Sequence, residues 1–507
     1  MSTRQAMSVI IPSVLLACAV LSVPAAAQPA PGLAVLTGHL ETLFIERSGS
    51  CRPVHTLVEP SGARHRLLFA GEIPAVRFAD TIQVRARPEG DSLSVHSWSV
   101  VARSPTRANP NHGPQNTLVL MVNSYQDPSE PWSVQEIETR IFDRANPLSL
   151  NNFVQETSYG KASIRGDVLG WYTLPITRSQ MCSYSTLVAA ALLAADNDAY
   201  YPDYRRLLIL FPTGACGWQA AGTIGMVLTQ TPDGPVLMSR SYVNSPPLGL
   251  GGTPAYGGAS YHEFGHNFGG WHSNDWECDD LTLGGNSRSI PYGDPIDTLG
   301  KSGAKGLYGP LHRELMGWFG PDHLLTTNEP GVYRLTPLET PTRSLKALKI
   351  PRGDGLHYYV EFRRPIGFDA EIFRFWSPNF DGALVRTDQF AETGDAQLLD
   401  MTPHANTDDT DQFFDSLDSA LAPGRTFADP NHAIYLTTLG VSDEFLAVRL
   451  GHHCPADFNA DGVVDNQDVL DYYSAWIARD PTAEYTGDDS IDNSDLIAWF
   501  DLWSAGC

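Results

Sequence analysis

The sequence predicts a multidomain α+β protein, and three observations support that fold class. Segments near both ends of the chain, such as 81–86 and 445–450, alternate apolar and polar residues as β-strands do. The middle of the chain alternates strand-like and helix-like segments, and the tail repeats an acidic loop followed by an apolar helix. With 507 residues and 42% hydrophobic content, the chain can form several cores.

Residues 1–27 have the features of an export signal. Arg4 precedes an apolar stretch, Met7–Val23, which is followed by small residues up to Ala27. We expect cleavage after Ala27 and a secreted protein, either extracellular or periplasmic. Lipoprotein processing at Cys18 is the alternative, but the apolar stretch continues past that cysteine. No later segment approaches the ~20 apolar residues that span a bilayer, so no membrane span is expected.

Residues 28–101 are predicted to form a β-rich N-terminal domain, because short alternating runs are separated by turn residues. A small barrel would suit this pattern. Residues 102–116 are rich in proline and asparagine, which is typical of a linker. If the N-terminal domain is an inhibitory pro-segment, Arg103 and Arg107 are natural cleavage points.

Residues 117–322 are predicted to form an α/β domain. A strand is expected near 117–123. Ser133 and Glu136 have the spacing of a capping box, which predicts a helix beginning there. Apolar runs predict a buried helix at 187–195 and two further strands at 207–211 and 222–229.

One segment of this domain has the spacing of a hydrolytic zinc site. On a helix, His262 and His266 lie one turn apart on the same face, so both imidazoles can reach one ion. Glu263 lies beside them, where its carboxylate can take a proton from water at the metal. Gly269 can adopt the left-handed conformation that ends a helix. The chain can then turn back, so that His272 reaches the same ion as a third ligand. Three protein ligands leave one position open, as in catalytic zinc sites.

This pattern resembles that of the metzincin zinc metallopeptidases, and other stretches resemble their gametolysin-like branch. These stretches are 118–123, 158–161, 216–218 and 292–300. The resemblance implies a metzincin-type catalytic domain with zinc held by the three histidines and Glu263 as general base. It also implies that the strand at 222–229 lines the cleft and pairs with an extended substrate.

In the family, a methionine turn lies beneath the metal, and here Leu299 occupies the methionine position. Leucine has a similar volume, so zinc binding is expected to persist. Lys301 matches the position of a tyrosine that reaches the metal in some members, so no tyrosine ligand is assigned.

The leading interpretation is a secreted zinc endopeptidase that acts on proteins or peptides. The alternative is a catalytically retired domain that serves as an extracellular binding or anchoring protein. Only Leu299 favours the alternative, whereas the three ligands and the general base are all present. Residues 323–452 are strand-rich and are predicted to form a sandwich-like domain. This domain either extends the substrate surface or only supports the protease, and support is the favoured interpretation.

Residues 453–507 are predicted to form a small helical module with a calcium loop. Oxygen ligands occupy loop positions 1, 3, 5, 9 and 12, namely Asp457, Asn459, Asp461, Asp465 and Asp468. Gly462 is at position 6, where EF-hand loops turn sharply.

An offset of 27 residues gives a second, degenerate copy of this loop, which keeps Asp488, Asp492 and Asp495. Glu484 replaces its first aspartate, and Asp489 replaces the glycine. The tandem resembles a dockerin module, which implies calcium binding and a cohesin-like partner.

The cysteine count favours disulfides, because removal of Cys18 leaves six of the seven cysteines in an exported chain. We expect Cys454 to pair with Cys507, since the two bracket the tail module. Among the other four, the favoured pairs are Cys182 with Cys216 and Cys51 with Cys278. A thiolate latch of Cys51 on zinc is the alternative for that residue.

The charge of the chain disfavours one class of partner. The net charge of −24 repels nucleic acid and anionic membrane surfaces. No nucleic-acid partner is therefore expected.

Overall fold

The computed structural model is a strand-rich mixture of α and β structure built from several sheets, as the sequence predicts at this level. It describes residues 33–47, 50–70, 80–102, 110–212, 216–244, 258–278, 281–300, 306–374, 376–390, 395–403, 415–488 and 490–505. The predicted export signal, the arginines of the predicted linker, Lys301, Asp489 and Cys507 lie outside these ranges.

Five strands of the N-terminal domain close into a small barrel. They are β1 Ala34–Arg47, β2 Ser50–Val58, β3 Arg64–Phe69, β4 Thr81–Glu89 and β5 Ser92–Ala102. The strands pair in the order β2-β3-β5-β4-β1, and β1 also pairs with β2. The core of the barrel contains Leu57, Leu67, Ile82 and Val84. The barrel suggested by the alternating pattern is therefore present.

The α/β domain extends the sheet of the barrel. Its strands are β6 Gly113–Ser124, β7 Ala162–Leu174, β8 Arg206–Leu210, β9 Ala220–Thr223, β10 Val227–Thr231 and β11 Gly234–Val243. Among the described residues they continue in the order β1-β9-β11-β8-β6-β7, while β10 pairs with β11. β9 is antiparallel to both of its neighbours, whereas β11, β8, β6 and β7 run parallel.

Helices cover both faces of this sheet. They are α1 Val134–Ile141, α2 Leu150–Thr157, α3 Tyr184–Ala194 and α4 Ala259–Asn267. Alternate residues of β6 explain the arrangement, because Val119 and Met121 join the core that contains α1, α2 and α4, whereas Leu118 and Leu120 join the core that contains α3. Short 3₁₀ helices occur at Gln180–Cys182, Tyr201–Asp203, Gly367–Arg374, Ser416–Asp418 and Pro481–Ala483.

The predicted elements of this domain are mostly present. α1 begins at the predicted capping box of Ser133 and Glu136. The single strand predicted at 222–229 is wrong, because the chain forms two strands there. Gly225 separates them with a φ of +65°, and its N–H donates to the His266 carbonyl at 2.8 Å. The predicted linker also ends early, since β6 begins at Gly113.

Two sheets of the next domain pack face to face, as the predicted sandwich requires. Their elements are β12 Ser273–Glu277, β13 Arg288–Ile290, α5 Pro310–Leu315, β14 Leu324–Thr326, β15 Gly331–Leu335, β16 Ala347–Pro351, β17 His357–Glu361, β18 Leu384–Phe390, β19 Asp395–Leu399, β20 Thr426–Asp429, β21 Ile434–Val441 and β22 Leu446–Gly451. The sheet orders are β13-β12-β19-β18-β17-β16-β14 and β15-β22-β21-β20. Leu348, Val360, Leu436 and Val448 belong to the shared core.

The boundary predicted at residue 322 does not separate these sheets from the α/β domain. β12 and β13 precede that boundary, yet they belong to the seven-stranded sheet. β12 directly follows His272 and pairs in parallel with β19. The predicted third ligand therefore lies at the junction of the two domains.

The tail module contains the two predicted helices, α6 Asn466–Ala478 and α7 Asn493–Ala505. Tyr472 of α6 and Trp499 of α7 share a core with Leu439 and Ala447 of the sandwich. The tail therefore packs on the sandwich.

Cys182 and Cys216 form the favoured disulfide, with their Cα atoms 5.3 Å apart. Cys454 is also disulfide-bonded, and its predicted partner lies outside the described residues. Cys278 is buried, but the side chain of Cys51 lies outside the described part, so that pairing stays a prediction. None of the helices in the described ranges combines the length and apolar character needed to cross a bilayer.

Candidate metal centre

Three buried histidines converge at one point. The ligand nitrogens of His262, His266 and His272 lie within 4.8 Å of one another, and no other group of three or more His, Cys, Asp or Glu residues in the described part does so. The Nε2 atoms of His262 and His266 are 3.1 Å apart. A tetrahedral zinc ion with Zn–N bonds of ~2.0 Å needs ligand nitrogens roughly 3.3 Å apart. The spacing therefore fits zinc.

Backbone carbonyls orient two of these imidazoles. The Nδ1 of His262 lies 2.8 Å from the Thr298 carbonyl, and the Nδ1 of His266 lies 2.9 Å from the Gly270 carbonyl. Because a carbonyl only accepts, each Nδ1 carries the proton and donates. Nε2 is then the nitrogen that can face a metal ion.

The turn after α4 and the sandwich position the third histidine. Gly269 has a φ of +101°, the conformation predicted for it, and its N–H donates to the His266 carbonyl at 2.8 Å. The His272 N–H donates to Asp395 Oδ1 at 2.9 Å, and the Ala396 N–H donates to the His272 carbonyl at 2.9 Å. The sandwich therefore helps to build the site as well as supporting it.

Leu299 packs tightly beneath the helix that carries two of the histidines. It is fully buried, and a Cβ added at Gly265 or Gly270 would lie 2.6 or 2.7 Å from its methyl carbons. Asp297 fixes this turn, since its carboxylate accepts from the N–H groups of Leu299 at 2.8 Å and Gly309 at 2.7 Å. Burial alone would raise the pKa of Asp297. Its hydrogen bond with the His312 imidazole and the positive charges of nearby arginines instead lower this pKa below its usual range.

Glu263 is fully buried on α4 and lies against β9. A Cβ added at Gly222 would come within 2.6 Å of Glu263 Oε2 and within 3.2 Å of the His266 Cβ. Only glycine lets this strand approach so closely. The carboxylate is therefore held beside the strand that borders the imidazole cluster.

Sequence reasoning missed three residues of the site. The Phe44 ring centroid lies 4.5 Å from that of His272, and the Tyr292 ring centroid also lies 4.5 Å from it. Tyr292 adopts a φ of 59°, which a bulky residue rarely does. Asp395, which holds the His272 backbone, is the third. Tyr292 falls within a stretch of family resemblance, but no local signal marks Phe44 or Asp395.

The first predicted calcium loop closes through hydrogen bonds to its terminal acids. The Asp457 carboxylate accepts from the N–H groups of Asp461 at 3.0 Å and Gly462 at 2.8 Å. The buried Asp468 carboxylate accepts from the N–H groups of Asn459 at 3.2 Å and Asp465 at 2.8 Å. Gly462 has a φ of +88°. The five predicted ligands share this loop, but their carboxylates are not clustered as the histidines are.

The second loop has a similar backbone. Glu484 accepts from the N–H groups of Thr486 at 3.0 Å and Asp488 at 3.2 Å. The buried Asp495 accepts from that of Asp492 at 2.9 Å. Asp488 and Asp492 are exposed, so of the three acids predicted for this loop only Asp495 points inward.

Comparison with known proteins adds no assignment. No protein-family model matches the chain, and a search of curated proteins finds no significantly similar sequence.

Proposed function

We propose that this chain is a secreted zinc endopeptidase of the gametolysin-like metzincin type. The observation that carries the proposal is the buried cluster of His262, His266 and His272, with Glu263 on the same helix. The separation of the ligand nitrogens supports zinc as the metal. The disulfide of the α/β domain supports an oxidising compartment and hence export.

A zinc ion held by the three imidazoles would lower the pKa of water and polarise a peptide carbonyl. Glu263 is the proton acceptor for the attacking water, and its carboxylate then passes the proton to the leaving amine nitrogen. The carbonyls of Thr298 and Gly270 keep the imidazoles in the tautomer that presents Nε2. Because Glu263 is fully buried, bulk water has little access to its carboxylate.

The experiment is hydrolysis of a generic unfolded protein by the mature chain after cleavage between residues 102 and 110. Wild type, wild type with a zinc chelator, and Glu263→Ala are compared. Cleavage by untreated wild type alone is expected. Equal cleavage by Glu263→Ala would contradict the proposed role of that residue, and zinc-loaded wild type that cleaves nothing would favour a binding protein.

We also propose that the tail is a calcium-stabilised docking module. The loop closure around Asp457 and Asp468 supports calcium binding at the first loop. Leu470, Tyr473 and Ile477 of α6 are 59, 47 and 61% exposed and lie on neighbouring turns, which suits a cohesin-like protein partner. Calorimetric titration with calcium should show binding that Asp457→Ala abolishes.

The alternative of a retired scaffold rests on Leu299 alone. Its side chain fills the space below Gly265 and Gly270 with no room for an added carbon. This packing favours an intact floor beneath the metal centre and so supports the enzyme.

A further inference from the structure

The two loops of the tail differ in their surroundings. The first loop is open to solvent, since residues 459–467 are all exposed. In the second loop, Tyr485 and Gly487 are buried. Gly440 of β21 faces this loop closely, because a Cβ added there would lie 2.9 Å from the Thr486 carbonyl oxygen. The second loop therefore lies directly on the sandwich.

The fourth position of each loop shows what this contact requires. Ala460 occupies that position in the first loop with a φ of 60°, and Gly487 occupies it in the second with a φ of 77°. Ala460 shows that the left-handed turn can accept a Cβ. A Cβ added at Gly487, however, would overlap the Cβ of Ala447 in β22. Glycine is therefore needed at residue 487 for the approach to the sandwich, and not for the turn itself.

Two arginines of the sandwich bind main-chain carbonyls of the second loop. Arg334 of β15 donates to the Gly487 carbonyl from Nε at 3.2 Å and from Nη2 at 2.5 Å. Arg449 of β22 donates to the Glu484 carbonyl, and its guanidinium lies 4.0 Å from the centroid of the Tyr485 ring. The sandwich thus supplies positive charge to an acidic loop, at the edge where the loop contacts it.

A third arginine binds the same loop from within the tail. Arg479, at the end of α6, donates to the Ile491 carbonyl at 2.7 Å. In a calcium loop, the bound ion offsets the charge of the acids and closes the backbone around them. In the second loop, guanidinium groups supply the positive charge, while the carboxylates of Glu484 and Asp495 accept from the loop N–H groups. The loop is therefore closed without an ion.

We infer that the second loop is a docking surface for the sandwich and binds no calcium. The tail is then fixed on its host domain and does not swing on a linker. A protein bound to α6 would be held at a set distance and orientation from the imidazole cluster. Together with the proposed function of the first loop, on which only the ion count rests, this gives one calcium ion per chain.

The first test uses the full-length chain with Gly487→Ala, and Gly353→Ala as the matched control. Both glycines have a positive φ, but a Cβ added at Gly353 meets open space. Hydroxyl-radical footprinting reads out Leu439 of β21, which is 8% exposed on the sandwich side of the contact. We expect Gly487→Ala to increase the oxidation of Leu439 severalfold and the control to match wild type. Unchanged oxidation in Gly487→Ala would overturn the inference.

A rescue variant separates undocking from strain within the loop. Ala447→Gly removes the Cβ that the new side chain would overlap. Combined with Gly487→Ala, it should return the oxidation of Leu439 to the level of Ala447→Gly alone. Oxidation that stays high in the double variant would show that Gly487→Ala only strains its own loop, which contradicts docking through this contact.

Equilibrium dialysis with radioactive calcium counts the ions bound per chain. We expect one ion in wild type, none in Asp457→Ala and one in Glu484→Gln, which keeps an acceptor oxygen for the loop N–H groups. Two ions in wild type, or loss of an ion in Glu484→Gln, would overturn the inference. No bound calcium in any form would contradict the proposed role of the first loop alone, because it agrees with an ion-free second loop and the footprinting tests docking separately.

Discussion

The two metal sites proposed for this chain are built in opposite ways. The histidines are buried, and they come from a helix and the turn that follows it, with positioning contacts from the sandwich. The first calcium loop draws all its ligands from one short segment, in which Val463 is 57% exposed. Neutral imidazoles do not repel one another, so the fold alone can bring them together. Carboxylates do repel, so their convergence depends on the cation.

The two proposed sites are therefore sensitive to changes in different parts of the molecule. The geometry of the imidazole cluster depends on distant residues that hold its ligands, whereas the calcium loop depends on its own acids and on the ion. Changes in the sandwich should therefore affect zinc but not calcium. Changes in the first loop should do the reverse.

Two substitutions in the histidine cluster distinguish a proposed zinc ligand, His272, from the proposed general base, Glu263. His272→Ala should lose both zinc and activity, because it removes one of three ligands. Glu263→Gln should keep zinc and lower kcat/KM about a thousandfold, since only proton transfer is lost. Metal content by mass spectrometry and hydrolysis of a quenched peptide check both. Loss of zinc from Glu263→Gln would show that the carboxylate helps to hold the metal.

Calcium removal should mainly destabilise the tail. At a calcium concentration of about 100 times Kd, binding contributes roughly 2.7 kcal/mol to the free energy of unfolding of the module. Asp457→Ala should abolish this contribution. Glu484→Ala, the same loop position in the second copy, should lower stability equally with and without calcium, because Glu484 bonds its own backbone.

Thermal unfolding followed by tryptophan fluorescence measures this difference, since Trp499 is buried in the module. The zinc content of both variants serves as the control and should not change. A calcium-dependent shift that persists in Asp457→Ala but not in Glu484→Ala would place the ion in the second loop.

Asp395→Ala tests whether the sandwich helps to build the proposed zinc site. The Asp395 carboxylate accepts from the main-chain N–H of His272, and residues that orient a metal ligand typically contribute about 10- to 100-fold to metal affinity. We expect at least a tenfold loss of zinc affinity in competition with a chromogenic chelator. Asp395→Asn keeps an acceptor oxygen and should lose much less. An unchanged affinity in Asp395→Ala would show that the turn alone positions His272.

Local patterns allowed much of the site and the start of one helix to be predicted, because their geometry is encoded within a few residues. The spacing of the histidines, the left-handed Gly269 and the capping box of Ser133 are examples, and each is present. The long-range pairings could not be predicted. The contact of Phe44 with the imidazoles and that of Asp395 with His272 depend on how separate sheets meet, which no short segment encodes.

The same limit explains the errors in element boundaries. An apolar run at 222–229 favours one strand. The Gly225 N–H instead donates to the His266 carbonyl near the end of α4, and this contact interrupts the strand. β12 looks like part of the α/β domain by position, yet it pairs with β19 far along the chain. In both cases tertiary contacts decided where an element ends.

Asp275 of β12 is a buried acid, unlike the exposed Asp488 and Asp492 of the second loop. Burial raises the pKa of Asp275 to about 7, although a hydrogen bond from Ser416 at 2.7 Å opposes the shift. The folded chain therefore binds a proton that the unfolded chain releases between pH 4 and 7, so stability falls as pH rises through that range. Asp275→Asn should remove this fall and stabilise the protein by up to about 4 kcal/mol at pH 8 but not at pH 4.

Denaturant unfolding of both forms at the two pH values measures this effect. Asparagine keeps an oxygen that can accept from Ser416, so the variant isolates the charge. A variant that is equally stabilised at pH 4 would show that packing, and not ionisation, is responsible.

A smaller effect is expected at Leu299, which packs beneath the proposed zinc site. Leu299→Met restores the residue that the family resemblance implies, with nearly the same volume, so the free energy of unfolding should change by less than about 1 kcal/mol. The leucine methyl carbons lie against Gly265 and Gly270, and the flexible methionine side chain can occupy the same volume. Zinc affinity and kcat/KM should therefore stay close to wild type. Leu299→Ala is the contrast, because a cavity at this buried position should cost about 3 kcal/mol and loosen the helix that carries His262 and His266. If Leu299→Met instead raised kcat/KM by orders of magnitude, Leu299 would be shown to suppress catalysis. That result would support the alternative of a binding protein.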